Sequence, residues 1–147
     1  MHHDTKISNV LFYENNRGIC VIDLDTIMPG YFFSDIGDMM RTYLCAVIEE
    51  SREWGAIEIR DEYYAAILQG YLSQMGVYLS KTEKQHFFDA GCLMIYLQAL
   101  RFLTDYLNSN IYYGARYPLH NLNRAKHQTI LLQQLLKKEK ALKNSSN

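Results

Sequence analysis

Asp4 and Asn9 stand five positions apart at the head of the chain, and Asp23 follows after a turn. Two carboxylates and a carboxamide in this pattern suit phosphoryl transfer to an alcohol. That reaction asks for little covalent help from a protein. It needs an in-line hydroxyl, a metal ion across the phosphates and compensation for developing charge. Asp4 is read as the group that orients the acceptor hydroxyl and takes its proton. Asn9 offers a neutral oxygen to a hard cation, and Asp23 an anionic one. Lys6 stands where it can neutralise phosphate charge in the transition state. An isolated D-x-x-x-x-N is a weak signal, because both residue types are common in turns. Its force here comes from the combination with His2, a β-rich hairpin and Ile22-Asp23 at a strand end.

The elements that must position these groups follow from the apolar patterning. Val10 to Tyr13 and Ile19 to Ile22 are apolar runs separated by Asn15, Asn16 and Gly18, which predicts a hairpin that returns Asp23 to Asn9. Met28-Pro29-Gly30 breaks the pattern. From Ser34 the period becomes helical through Ile36, Met39, Met40, Tyr43, Leu44, Val47 and Ile48, with Ser34 or Asp35 as N-cap. A second helix is expected from about Arg60 to Tyr78. Ser80 and Glu83 form a capping box that starts a long helix to about Leu107, apolar on most sides and therefore central. A last helix is expected from about Leu119 to Leu142. The fold class is thus mainly α with a small N-terminal β-hairpin. It is read as one unit over 1–147: a catalytic loop and metal-binding hairpin over 1–33, a helical subdomain over 34–143 and a disordered tail over 144–147.

Composition narrows the class. Hydrophobic residues are 48% of the 147, enough for a real core, and 15 basic against 16 acidic side chains give a net charge of −1, which recommends no nucleic-acid partner. The N-terminus has no apolar signal region, and the uncharged run from Ala90 to Leu100 is short for a bilayer, so a cytoplasmic protein without membrane attachment is expected. Cys20, Cys45 and Cys92 sit among apolar residues and are read as buried free thiols. Tyr117, His120 and Arg124 gather near the loop closed by Pro118, where substrate contact and plain capping of the last helix compete.

The stretch His2-His3-Asp4-Thr5-Lys6-Ile7-Ser8-Asn9 resembles the catalytic loop of the aminoglycoside phosphotransferase and choline kinase superfamily, and Val21-Ile22-Asp23-Leu24-Asp25-Thr26 its metal-binding segment. The wording I-D-L-D-T-x-M-P-G, Asp35-x-Gly37-Asp38, and Tyr117-Pro118-x-His120-Asn121-Leu122-x-Arg124 is most similar to the N-acetylhexosamine kinase branch. The resemblance implies the C-terminal lobe of a protein-kinase-like fold, using ATP and Mg2+. It implies Asp4 as catalytic base, Asn9 and Asp23 as magnesium ligands, and His2 and Asp35 in support, beside the Lys6 already read from its charge. It implies Asp25 as a metal-site or sugar contact, and leaves His3 without a role. No Gly-rich phosphate loop occurs in the chain, so turnover by this polypeptide alone is not expected. Self-association through an exposed cleft surface is.

Two other classes compete. Asp23-Leu24-Asp25 after an apolar strand also resembles the nucleophile motif of haloacid-dehalogenase-type phosphatases, although Thr26 is one place early and alternating strands and helices are not expected. A non-catalytic helical remnant or binding module fits the same helical pattern.

Overall fold

In this computed structural model the described residues are 1–145. The two apolar runs fold back on each other as β1 (Val10–Phe12) and β2 (Gly18–Val21), antiparallel, with Val10 opposite Val21 and Leu11 opposite Cys20. Asn16, left-handed at φ 62°, turns the chain, and the Asn15 side chain accepts from the Arg17 amide. An irregularity beyond Leu11 places Phe12 opposite Gly18. A two-stranded ribbon is marginal alone. Here the Ile22 amide donates to the Asn9 carbonyl and carries the pairing one step beyond the ladder.

Among the described residues six helices follow: α1 (Phe33–Tyr43), α2 (Asp61–Met75), α3 (Lys81–Gln85), α4 (Phe87–Leu107), α5 (His120–Lys137) and α6 (Glu139–Ser145). The chain is therefore mostly helical with one hairpin near its N-terminus, as the patterning predicts. α4 packs against both α1 and α5. The core gathers Phe32, Ile36, Met40, Leu44, Tyr64, Phe87, Ile95, Leu131 and Leu135. α1 approaches α4 closely at Gly37, where a Cβ would fall 2.3 Å from Met94 Cγ and 2.6 Å from the Ala90 carbonyl oxygen.

Several boundaries differ from the sequence expectation. α1 stops at Tyr43, because the Leu44 carbonyl turns to the Arg60 amide at 3.0 Å instead of continuing the helix. Val47 and Ile48 lie beyond it. The capping box at Ser80 and Glu83 forms, but it starts only the short α3. His86 leaves helical geometry there and pairs its Nδ1 with Asp89 in the first turn of α4. The last helix likewise breaks at Lys138, whose ammonium donates to the Ile59 carbonyl and to Asp61. That turn sends α6 back so that Leu142 joins the core. Asn144 and Ser145 are part of α6, while Ser146 and Asn147, the rest of the expected tail, lie outside the described residues.

α4 is long and apolar enough to cross a membrane by length and composition alone, and its place between α1 and α5 accounts for the same composition. It is not covered all round: Leu93, Tyr96, Leu97, Leu100, Leu103 and Leu107 are exposed. Of the three free thiols, Cys45 is buried, Cys92 is half-buried and Cys20 is exposed on β2.

Candidate active site

The loop that carries Asp4 is pinned on two sides. From α1, the Asp35 carboxylate accepts from the His2 amide at 3.2 Å and the His3 amide at 2.8 Å. Asp35 does not cap α1; Phe32 holds the N-cap position with no side-chain cap bond. An ionised acceptor satisfying two loop amides outweighs the local capping bond that its position suggests. The Thr5 hydroxyl donates to the Asp35 carbonyl, the Tyr43 hydroxyl donates to the Thr5 carbonyl, and the Ile7 amide donates to Thr42 Oγ1. From the other side, the Thr26 hydroxyl donates to the His2 carbonyl at 2.6 Å, and the Met28 amide to the Met1 carbonyl.

The two histidines divide the work. His2 Nδ1 accepts from the Asp4 amide at 3.3 Å, so the neutral ring carries its proton on Nε2, which is buried without a hydrogen bond. His3 clasps the far segment. Its Nε2 lies 3.3 Å from the Met28 carbonyl, which can only accept, and its Nδ1 lies 2.7 Å from the Ser34 hydroxyl. The ring rests on Gly30, where a Cβ would meet His3 Cε1 at 2.3 Å. The Ser34 hydroxyl, an N-cap candidate by sequence, is engaged with His3 and the Tyr31 carbonyl instead.

Asp4, Lys6, Asn9 and Asp23 meet in one cluster. Asn9 Nδ2 donates to the Asp4 backbone carbonyl at 2.9 Å and to Asp4 Oδ2 at 2.7 Å. Both partners are acceptors, so the orientation of the amide is fixed by chemistry. Its Oδ1 has no hydrogen bond among the described residues. Lys6 Nζ donates to Asp4 Oδ2 at 2.6 Å and lies 3.8 Å from Asp23 Oδ2. Asp23 follows Ile22, whose amide is bonded to Asn9, and its backbone is left-handed at φ 62°. The hairpin thereby brings the carboxamide and the second carboxylate to the same end of the ribbon. Asp25 lies just beyond, exposed on the 3₁₀ turn Leu24–Thr26.

Burial pushes the Asp4 carboxyl up, but the hydrogen bonds from Lys6 and Asn9, with the charges of Lys6 and Arg41, outweigh it and hold the group below its ordinary value. Asp4 is thus an anion at neutral pH, competent to orient a hydroxyl. Among the described residues no group of three or more His, Cys, Asp and Glu side chains is arranged to hold a metal ion. One free carboxamide oxygen and one half-exposed carboxylate do fit a hard cation that keeps waters and takes its remaining oxygens from phosphates.

A second charged cluster lies behind the first. Arg41 Nε donates to Asp38, and Arg41 Nη1 donates to Glu49 Oε1 at 2.8 Å. Glu49 Oε2 accepts from Arg124 Nη2 at 2.7 Å, and Glu49 Oε1 also accepts from Gln128 Nε2 at 2.9 Å. Arg124 lies over the Phe102 ring at 3.7 Å. Burial pushes the Asp38 carboxyl up, with Arg41 opposing it, and Asp38 Oδ2 is buried without a hydrogen bond. Asp38 is thus a buried member of α1. His120 is buried, 3.5 Å from Glu50 and ring-to-ring with Tyr117 at 4.7 Å. Asn121 is fully buried and donates to Asp105, Asn110 and the Gly114 carbonyl, latching the 108–119 loop. Tyr117, His120 and Arg124 make no hydrogen bond or ion pair with Asp4, Lys6, Asn9 or Asp23 among the described residues. Arg41 and Glu49, the centre of this second cluster, carry no sequence motif beyond the helical spacing of Asp38 and Arg41.

No alternation of strands and helices exists among the described residues, which removes the fold that the phosphatase reading needs. The phosphotransferase enzyme family matches residues 1–80, more than half of the chain. That span takes in the loop of Asp4, the carboxamide of Asn9, the hairpin that returns Asp23 and the Asp35 anchor, and by that match the chain belongs to the phosphotransferase enzyme family.

Proposed function

We propose that this chain provides the base and cation-binding half of a small-molecule kinase, the C-terminal lobe of a protein-kinase-like fold, acting on a sugar hydroxyl. The observation that carries the reading is the Asn9 carboxamide. Its NH2 is held by Asp4, its oxygen has no hydrogen bond among the described residues, and Asp23 reaches the same cluster through Lys6. Asp4 orients the acceptor hydroxyl and receives its proton late, as the bond to phosphorus forms. Asn9 and Asp23 hold Mg2+, and Lys6 offers a positive charge beside the transferring group. The bound Mg2+ and ATP supply the phosphoryl group and neutralise its charge.

The acceptor we propose is the anomeric hydroxyl of an N-acetylhexosamine, on the strength of the I-D-L-D-T-x-M-P-G wording. Asp25 and Tyr117 are the proposed sugar contacts. His120 and Arg124, the other candidates, are engaged by Glu50 and Glu49. The 147 residues hold no Gly-rich phosphate loop, so catalytic turnover needs nucleotide contacts that these residues do not contain.

Calorimetry tests this reading. The chain is expected to take up Mg-ATP weakly and to give heat with N-acetylglucosamine or N-acetylgalactosamine. Asp23→Ala should abolish the magnesium dependence. Absence of both signals favours a non-catalytic helical module. Robust sugar phosphorylation by the chain alone contradicts the half-site assignment.

A further inference from the structure

Lys6 occupies a position with two loyalties. Its ammonium is bonded to the base, Asp4, at 2.6 Å and stands 3.8 Å from the carboxylate of Asp23. The Asp23 carboxylate is half-exposed and has no other ion pair among the described residues. Asn9 donates to the same Asp4 oxygen, Oδ2, that Lys6 holds, and its own Oδ1 has no hydrogen bond among the described residues. Two negative groups held this close repel each other unless a cation lies between them. Lys6 is the cation that does so in this structure.

From this geometry we infer that Lys6 is a built-in counter-cation that competes with the divalent ion for Asp23 and gives up that carboxylate when the metal enters. The inference rests on the reading of Asn9 and Asp23 as cation ligands and adds the regulation of that site. Before the metal arrives, Lys6 keeps Asp4 and Asp23 facing one another, so the site is preformed. With a metal bound at Asp23, Lys6 would keep Asp4 as its carboxylate partner. Affinity for the metal alone is consequently reduced, and the site favours a metal that arrives with phosphate, whose negative charge gives Lys6 a new partner.

The test measures metal binding without turnover. Mn2+ is titrated into the full chain without nucleotide, and free Mn2+ is followed by electron paramagnetic resonance. A unit charge about 4 Å away in a water-like environment is worth about 1 kcal/mol, or roughly fivefold in affinity. Lys6→Met is therefore expected to bind Mn2+ roughly fivefold more tightly than the wild type. Lys6→Arg, which keeps the charge, is expected to match the wild type. Circular dichroism confirms that both variants are folded. Equal or weaker binding by Lys6→Met overturns the inference, and so does a gain in Lys6→Arg as large as in Lys6→Met. Asp23→Ala separates the two levels. If Mn2+ binds that variant as it binds the wild type, the metal-site reading itself fails. If binding is lost there while Lys6→Met shows no gain, only the role of Lys6 falls.

Discussion

Glu49 and Glu50 are neighbours in sequence with opposite structural weight, and replacing each with alanine separates them. Glu49 receives Arg41, Arg124 and Gln128 on one carboxylate, and its side chain is only 20% exposed. Arg41 and Arg124 are 8% and 18% exposed, so their charges cannot simply return to water. Removing one partner of a buried ionic group costs about 3–5 kcal/mol. Arg41 keeps Asp38, and Glu49 retains some solvent, so the lower end applies: about 3 kcal/mol for Glu49→Ala. For a domain of this size that is a fall of roughly 10 °C in Tm. Glu50 holds Arg116, which is 77% exposed. The 3.5 Å approach of Glu50 to the buried His120 Nε2 is no hydrogen bond, so what is lost is an exposed pair worth about 1 kcal/mol or less. Glu50→Ala should therefore lower Tm by no more than roughly 4 °C. Glu49→Gln, which keeps acceptor oxygen but not charge, should fall between the two. Thermal unfolding followed by circular dichroism, with chemical denaturation as a second measure, reads all three. A loss below about 1 kcal/mol for Glu49→Ala, or equal losses at the two positions, would refute the view that Glu49 ties α1 to α5.

Acid should weaken the fold through His127. Burial holds its pKa below the ordinary 6.5, with Glu49 opposing. Below pH 6.5 the unfolded chain takes up a proton that the folded one refuses, so the stability His127 contributes is complete above that pH and falls as pH drops through the folded value. Between pH 7.5 and 5, Tm should fall less steeply in His127→Gln than in the wild type, and parallel slopes would remove the assignment. The exposed apolar side chains of the hairpin, among them Leu11, Phe12, Ile19, Val21 and Ile22, should drive self-association. Light scattering at high concentration is expected to show a mass above that of the monomer, and a clean monomer contradicts this.

Much of the architecture was legible because it is local. The turn chemistry of Asn15 and Asn16 announces the hairpin, helical spacing announces the main helices, and Ser80 with Glu83 forms its capping box. The misses share a cause, which is a partner distant in sequence. Asp35 reads as a cap, yet its carboxylate is recruited by amides 32 and 33 positions earlier. α1 should run on to Ile48 by periodicity, but Arg60 claims the Leu44 carbonyl. Lys138 breaks the last helix by reaching to Ile59 and Asp61. In the site, the D-x-x-x-x-N spacing marked Asp4 and Asn9, which the fold joins by hydrogen bonds, and the hairpin delivered Asp23 to Lys6. Nothing local pointed to Glu49, whose Arg124 and Gln128 donors are 75 and 79 residues away. His3 gained its role as a clasp only once Met28, Gly30 and Ser34 were folded against it.

The backbone at position 23 carries a consequence for the repertoire of side chains that it can accept. A positive φ of 62° is comfortable for glycine, and for asparagine and aspartate among the side-chain-bearing residues. The proposed cation-ligand role of Asp23 asks for an acidic group there as well. Glycine and asparagine meet the conformational demand without the negative charge, while glutamate brings the charge into a conformation it adopts reluctantly. Aspartate alone meets both requirements, so selection at this position is narrower than the chemistry of cation binding by itself would impose.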